Sequence, residues 1–259
     1  DKPGWRNSSV MTRSNIAMML YSEGQHVQAL KEFEGALKQM LELAAAYPRI
    51  HEYQANLARL NNNVGTALFA LERFEEAVNA FRQAAEVQQG LVDSFPTIDG
   101  YRDVLARNLL NLGTTLVKLS RPEEAEESFA RGLGHLRALV AADPERAERR
   151  RVLALFLLDV AGSWSSAERY SAAVEARREA VAQLRWLAEH APEDGGCKSQ
   201  LAEAQLRLAM EEWRLGRKEE ALGSYREVVA SIARDGLQGP ELDRARAEAQ
   251  ALLEGKPEG

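Results

Sequence analysis

The chain has 259 residues, 45% of them hydrophobic and 28% charged, with a formal net charge of −6. Its 18 glycines and 8 prolines are too few for a collagen-like or low-complexity chain, and its single cysteine, Cys197, excludes an internal disulfide and a cysteine-only metal cluster. The negative balance removes any global pull toward nucleic acid or an anionic membrane, and no stretch reaches the ~18–20 apolar residues of a transmembrane helix.

Residue 1 is Asp rather than Met, so the chain is read as a piece of a longer protein. Its first ten residues lack the basic-then-apolar order of a signal peptide. From there the predicted elements recur with a period of 48. The first unit, 1–48, pairs a helix through Ile16 and Ala17 with one through Ala29 and Phe33, separated at Ser22-Glu23-Gly24 and stopped by Pro48. In the second unit, 49–96, Leu57, Leu60, Val64, Leu68 and Leu71 follow the three-to-four spacing of an amphipathic helix. After a break near Glu72-Arg73, a second helix runs through Ala77, Val78, Phe81, Ala84, Ala85, Leu91 and Val92 until Pro96 stops it. The third unit, 97–144, breaks at Ser120-Arg121-Pro122, where proline suits a first helical turn. The fourth, 145–192, and fifth, 193–240, continue the register, with a break at Leu215-Gly216-Arg217. Gly24 and Gly216 suit left-handed C-caps. A 19-residue end, 241–259, holds one further amphipathic helix, Glu241 to Glu254, with Gly255 as its cap. No sustained period-two runs signal strands.

The columns have steric reasons. A small residue (Ala17, Gly65, Gly113, Ala161, Ala209) faces an alanine (Ala29, Ala77, Ala125, Ala173, Ala221), so two helix axes approach closely. Phe33, Phe81, Phe129 and Tyr225 fill the space beside that contact, and Leu43, Leu91, Leu139 and Leu187 add a later column. Tyr53, Tyr101, Arg149 and Cys197 share one position, which Trp5 extends backward. One helical pair cannot bury its apolar faces alone, so the pairs must stack.

These columns resemble the tetratricopeptide repeat, whose pattern runs W-x2-L-G-x2-Y, A-x3-F, P. The second unit carries Asn61-x2-Val64-Gly65-x2-Leu68, Ala77-x3-Phe81 and Pro96. The third carries Leu109-x2-Leu112-Gly113-x2-Leu116, Ala125-x3-Phe129 and Pro144. The departure is length, 48 residues instead of 34, which helices of about 20 residues absorb. The resemblance implies an all-α solenoid: five antiparallel helix pairs in a right-handed superhelix, forming a single domain over 1–259 with a C-terminal capping helix. The run Tyr101-Arg102-Asp103-Val104-Leu105-Ala106-Arg107 is similar to repeats attached to bacterial serine/threonine kinases of the planctomycete type. The fourth unit departs most, with Arg177 in the phenylalanine column and Trp164 in the Leu68/Leu116 column, where Trp164 is expected to fill what Arg177 vacates.

No catalytic constellation stands out, so the chain is read as a non-enzyme that needs no cofactor and no metal. His26, His51, His135 and His190 have no i, i+4 pairing, and no P-loop or Gly-x-Ser-x-Gly is present. Cys197 reads as a buried thiol. Glu123-Glu124 and Glu126-Glu127 suit a first helical turn, while Glu211-Glu212 and Glu219-Glu220 read as solvated faces. Arg146 and Arg149-Arg150-Arg151, interleaved with Glu145 and Glu148, read as a salt-bridged helix start, with a phosphate or acidic-partner patch as the alternative.

What remains is the face of the first helices, which in such stacks binds extended segments. In the first three units its candidate peptide-binding residues are Asn15, Tyr21, Arg59, Asn62, Asn63, Thr66, Phe69, Arg107, Asn111, Thr114 and Lys118, with Met18 beside them. Asn15, Asn63 and Asn111 form a column continued by Asp159. The resemblance implies that such asparagines hold a bound peptide's backbone; bridging between neighbouring first helices is the alternative. The lysines of the chaperone-binding carboxylate clamp are missing. Further on the face turns apolar, with Leu155, Leu158, Gly162, Leu206, Met210 and Trp213. Trp186 reads as an exposed anchor or as a ring lying over a neighbour. The expected partner is a protein or peptide, with no nucleic acid and no membrane insertion, in a cytoplasmic signalling or regulatory protein. Self-association through the apolar C-terminal repeats is the alternative.

Overall fold

The computed structural model describes residues 3–190 and 195–254; Pro192 and the tail from Gly255 onward lie outside the described residues. Eleven α-helices, and no strand, occur among the described residues. They are α1 (Pro3–Ser22), α2 (His26–Ala46), α3 (His51–Ala70), α4 (Phe74–Ser94), α5 (Asp99–Lys118), α6 (Pro122–Ala142), α7 (Ala147–Ser166), α8 (Tyr170–His190), α9 (Gly195–Arg214), α10 (Lys218–Asp235) and α11 (Pro240–Leu253). The chain is an all-α helical repeat protein. It forms two compact units, Asp1–His135 and Leu136–Gly259, whose border lies inside α6.

Three residues suffice to turn each odd-numbered helix into the next because one of them is left-handed. Gly24 (φ 78°), Glu72 (59°), Ser120 (56°), Glu168 (58°) and Gly216 (82°) take this role. The amide three residues beyond the end of each of these helices then donates back into its last turn: Gln25 to the Leu20 carbonyl at 2.9 Å, Arg73 to Leu68, Arg121 to Leu116, Arg169 to Trp164 and Arg217 to Glu212. This is the six-to-one closure that satisfies carbonyls at a helix end. Glycine adopts the conformation without penalty, whereas Glu72, Ser120 and Glu168 each bear about 1–2 kcal/mol of strain. The even-numbered helices α2 and α4 end differently. The Tyr47 and Phe95 amides donate to Leu43 and Leu91, and a proline follows.

Packing within a pair follows the small-on-large columns. Ala29, Ala77, Ala125, Ala173 and Ala221 are fully buried, as are Ala17, Ala161 and Ala209. A Cβ added at Gly65 would stand 2.7 Å from the Phe81 ring, and one at Gly113 would collide with Phe129. In unit 1, Val10, Met40, Leu43, Tyr53, Leu57 and Leu60 form one buried cluster and Ala85, Val92, Leu105 and Leu109 another. In unit 2, Ala154, Val181, Leu184, Leu187, Cys197 and Ala204 pack together.

Several details differ from the sequence expectation. Ile16 is half exposed and Trp5 is 78% exposed, although Val64, Leu112 and Tyr53 in the same columns are buried; no described helix covers that side of α1. Pro240 does not stop α10. That helix ends at Asp235 on Gly236 (φ 63°), and Pro240 is the first residue of α11, where its fixed φ and missing N–H fit. Helix α11 packs on α9 and α10, placing Leu242, Ala245 and Ala249 against Leu206, Val228 and Ile232.

Arg177 vacates nothing: it is buried, and so is Trp164. Its guanidinium donates Nε and Nη2 to the two Glu211 oxygens at 3.0 and 2.8 Å, with side-chain exposures of 5% and 3%. Glu212, also buried, accepts from Arg178 at 2.6 Å. Glu211-Glu212 is therefore not a solvated face. The arginines of α8 draw both carboxylates into the α8–α9 seam, and the fork geometry of guanidinium and carboxylate matches bond for bond.

Candidate functional site on the first-helix face

In unit 1 the predicted binding residues divide into tied and open ones. Asn111 Nδ2 donates to Asn62 Oδ1 at 2.9 Å, joining α5 to α3. Arg59 donates to Asn56 Oδ1 at 2.9 Å and approaches Met11 Sδ at 3.3 Å, while Asn56 donates to Asn7 Oδ1 at 3.0 Å, joining α3 to α1. Thr66 Oγ1 donates to the Asn62 carbonyl at 2.9 Å, and Asn63 is buried. Phe69 meets Phe74 edge-on at 5.3 Å, and Tyr21 tilts over His26 at 4.8 Å. Thr114 is half-buried and engaged. Asn15, Met18, Arg107 and Lys118 are the exposed members. Asn7 with Asn56 and Asn62 with Asn111 thus form amide pairs between neighbouring first helices, whereas Asn15, Asn63, Asn111 and Asp159 of the predicted column sit in four different environments.

The basic cluster at the start of α7 is similarly committed. Arg149 donates to the Leu139 carbonyl at 2.8 Å, and Arg150 donates to the Pro144 carbonyl at 2.7 Å and Gln183 at 2.8 Å. Arg150 also lies over the Trp186 ring at 4.2 Å, and Trp186 stacks on His190 with centroids 4.3 Å apart. Trp186 is a half-buried ring over its neighbours rather than a free anchor.

Unit 2 holds an open groove of about 1050 Å³ walled by α7, α9 and α11, at the upper end of the volumes usual for ligand pockets. Helix α7 contributes Leu155, Leu158, Asp159 and Gly162, a stripe at i, i+3, i+4 and i+7; α9 contributes Gln200, Glu203, Ala204, Arg207, Met210, Glu211 and Arg214; α11 contributes Ala247, Glu248 and Ala251. Of the predicted apolar residues, Leu155, Leu158 and Met210 line it. Leu206 does not: it is fully buried beneath α11. Trp213 lies outside the lining, with the Lys218 ammonium 5.2 Å from its ring. Small residues make the room, and a Cβ at Gly162 would meet nothing within 4 Å.

The groove's three arginines are each held. Arg177 pairs with Glu211; Arg207 reaches Glu203 at 3.0 Å and Glu248 at 3.6 Å; Arg214 donates to the Tyr170 hydroxyl at 2.6 Å. Asp159 has no ion-pair partner among the described residues. Its side chain is open to the groove, yet the walls strip enough water to push its carboxyl above the ordinary 3.8. Gln200 Oε1 is a second acceptor on this surface, buried and without a hydrogen-bond donor. Sequence reasoning found Met210 on α9 but missed the charged part of that wall, although the signal was present: Asp159 continues 48 residues on to Arg207, and Leu155 to Glu203. It stopped short because these charges broke the column chemistry.

Helical pairs closed by small-on-large seams, with a groove on the first-helix face, are the arrangement of a tetratricopeptide-like helical repeat. Residues 56–138, about a third of the chain, match a family model described as Tetratricopeptide repeat. Repeats of this type generally serve as protein–protein interaction modules without catalysis of their own. Among solved structures, the chain is similar to BtubC (BKLC) from P. vanneervenii, with 18% identity, a TM-score of 0.61 and coverage of 100% of this chain and 86% of that one. It is also similar to the kinesin light chain nearly identical TPR-like repeats of Podosopora anserina, with 16% identity, a TM-score of 0.59 and coverage of 89% and 97%. At these identities the likeness is one of fold. No curated protein matches the sequence. No helix of the described residues is long and apolar enough to cross a membrane.

Proposed function

We propose that the protein is a non-catalytic interaction module that binds a peptide or protein segment on its first-helix face. The observation that carries this reading is the unit 2 groove, open, part apolar and roomy at Gly162. In unit 1 the exposed Asn15, Arg107 and Lys118 remain candidates to meet a partner. The tied Arg59, Asn62 and Asn111 would act by holding the face in shape. The run Tyr101–Arg107, similar to repeats attached to bacterial serine/threonine kinases, supports a place within a larger bacterial signalling protein.

A photo-crosslinking side chain placed at position 162 tests this reading against one at Glu175, which is exposed on α8 outside the groove. Linkage of a protein from cell extract at 162 and only background at 175 is expected. Equal linkage at both positions, or none at 162, removes the groove assignment.

Self-association is the second reading, and here the structure shifts the surface. With Leu206 covered, the exposed large apolar side chains gather on the first helical pair, at Trp5, Ile16, Met18, Met19 and Val27. Patches of this kind mark interaction sites. Light scattering across concentrations should show a mass that rises with concentration and falls back when Trp5 and Met19 become serine; a constant monomer excludes it.

A further inference from the structure

We propose that the unit 2 groove selects a segment carrying a basic side chain flanked by apolar residues, with the cation seated at Asp159 and the apolar neighbours against Leu155, Leu158 and Met210. This rests on the groove-binding reading above and adds the chemistry of the occupant.

The argument is one of charge complementarity. The groove lining carries four carboxylates, on Asp159, Glu203, Glu211 and Glu248, and three guanidiniums. Arg177 pairs with Glu211 and Arg207 is shared by Glu203 and Glu248, so the lining as a whole is negative by one charge and Asp159 is the one carboxylate of the four without an ion pair among the described residues. No guanidinium in the groove stands ready for an acidic ligand, because Arg214 is engaged by Tyr170 and further contacts. The unmatched acceptor on Gln200 adds a second demand for a donor and none for an acceptor. An ammonium or guanidinium is the donor-only group that answers the open Asp159 carboxylate.

The walls favour the same ligand. A carboxylate partly stripped of water gains more from a cation than one in bulk solvent, since the attraction grows as the local dielectric falls. Leu155, 40% exposed on the same stripe of α7 as Asp159, and Met210 facing it from α9 offer apolar contact on either side. Methionine adapts its shape to different ligands. The stem of a lysine or arginine would lie along that surface with its charge at the carboxylate.

Selection from a random peptide library on phage against the whole chain tests the proposal. It is run in parallel on wild type, Asp159→Asn and Gly162→Leu, with circular dichroism confirming unchanged helicity. The wild type should enrich peptides with Lys or Arg next to apolar residues. Those peptides should lose about tenfold or more in affinity on Asp159→Asn, the scale of a charge-assisted hydrogen bond. Gly162→Leu, whose Cβ enters open space and whose longer side chain fills the floor, should abolish binding of every selected peptide. Peptides that bind without a basic preference, yet are lost on Gly162→Leu, overturn the cation and leave the groove. Peptides indifferent to Gly162→Leu, or no enrichment at all on wild type, overturn both.

Discussion

The two units solve the same packing problem with different chemistry. In unit 1 the large position is a ring: Phe81 and Phe129 lie on Gly65 and Gly113, and Thr115 is the buried neighbour on α5. In unit 2 the same register holds Arg177, and the position matching Thr115 holds Glu211, buried together as a bidentate pair. Unit 1 joins its first helices by amide pairs, Asn7 with Asn56 and Asn62 with Asn111, which occupy part of the face. Unit 2 has no such pair among its described residues. Gly162 stands where Thr66 and Thr114 stand in unit 1, and the face opens into a groove. The backbone register tolerates either solution because each fills the seam and satisfies its polar atoms. The two differ in their sensitivity to damage. A ring truncated leaves a cavity, whereas an ion pair halved leaves a buried charge.

The largest expected effect follows from that difference. Arg177→Ala should destabilise unit 2 by about 3–5 kcal/mol, because Glu211 is left charged and unpaired. Arg177→Phe with Glu211→Thr, which copies Phe81 and Thr115, should recover most of the loss, since well-packed replacements of buried pairs are often neutral or better. Urea unfolding followed by hydrogen exchange in α8 and α9 measures both. A double variant as unstable as the single one would mean that the ionic seam is required by its surroundings.

Glycine sharpens the comparison at the next level. Gly113→Ala should cost about 1–3 kcal/mol by overpacking, as the added methyl meets the Phe129 ring. Gly162→Ala should stabilise by about 0.5–1 kcal/mol, because its Cβ enters open space and alanine is the better helix former. Thermal unfolding of the pair should move in opposite directions.

The smallest effect concerns His135, which is half-buried in unit 1. Desolvation first, then the charges of Arg102 and Arg131, hold its pKa below the ordinary 6.5, against an opposing pull from Asp93. Its folded form therefore resists a proton that the unfolded chain accepts. The stability it contributes is complete above 6.5 and is lost as pH falls through the lower folded value. His135→Asn should flatten the stability profile of unit 1 below 6.5, read by comparing denaturation midpoints across pH. An unchanged slope would assign the acid sensitivity to other groups.

The sequence by itself determined the helical pairs, their turns and the alanine seams. These depend on local spacing and on side-chain size, which repeat in register, so Gly24, Gly216, Pro122 and the Ala77 column could be read one residue at a time. Much of the candidate site was legible as well: Leu155, Leu158, Gly162 and Met210 were picked out by the same register, and all four line the groove. Only tertiary structure decided which polar residues stay open and which face one another. Asn111 and Asn62 look identical to free groove residues until two helices bring their amides to 2.9 Å. Glu211 looks solvated until Arg177 crosses from α8 to meet it, and Leu206 looks open until α11 folds over it. Polar pairing joins residues 34 or 49 apart in sequence, across helices whose approach no single amphipathic pattern encodes.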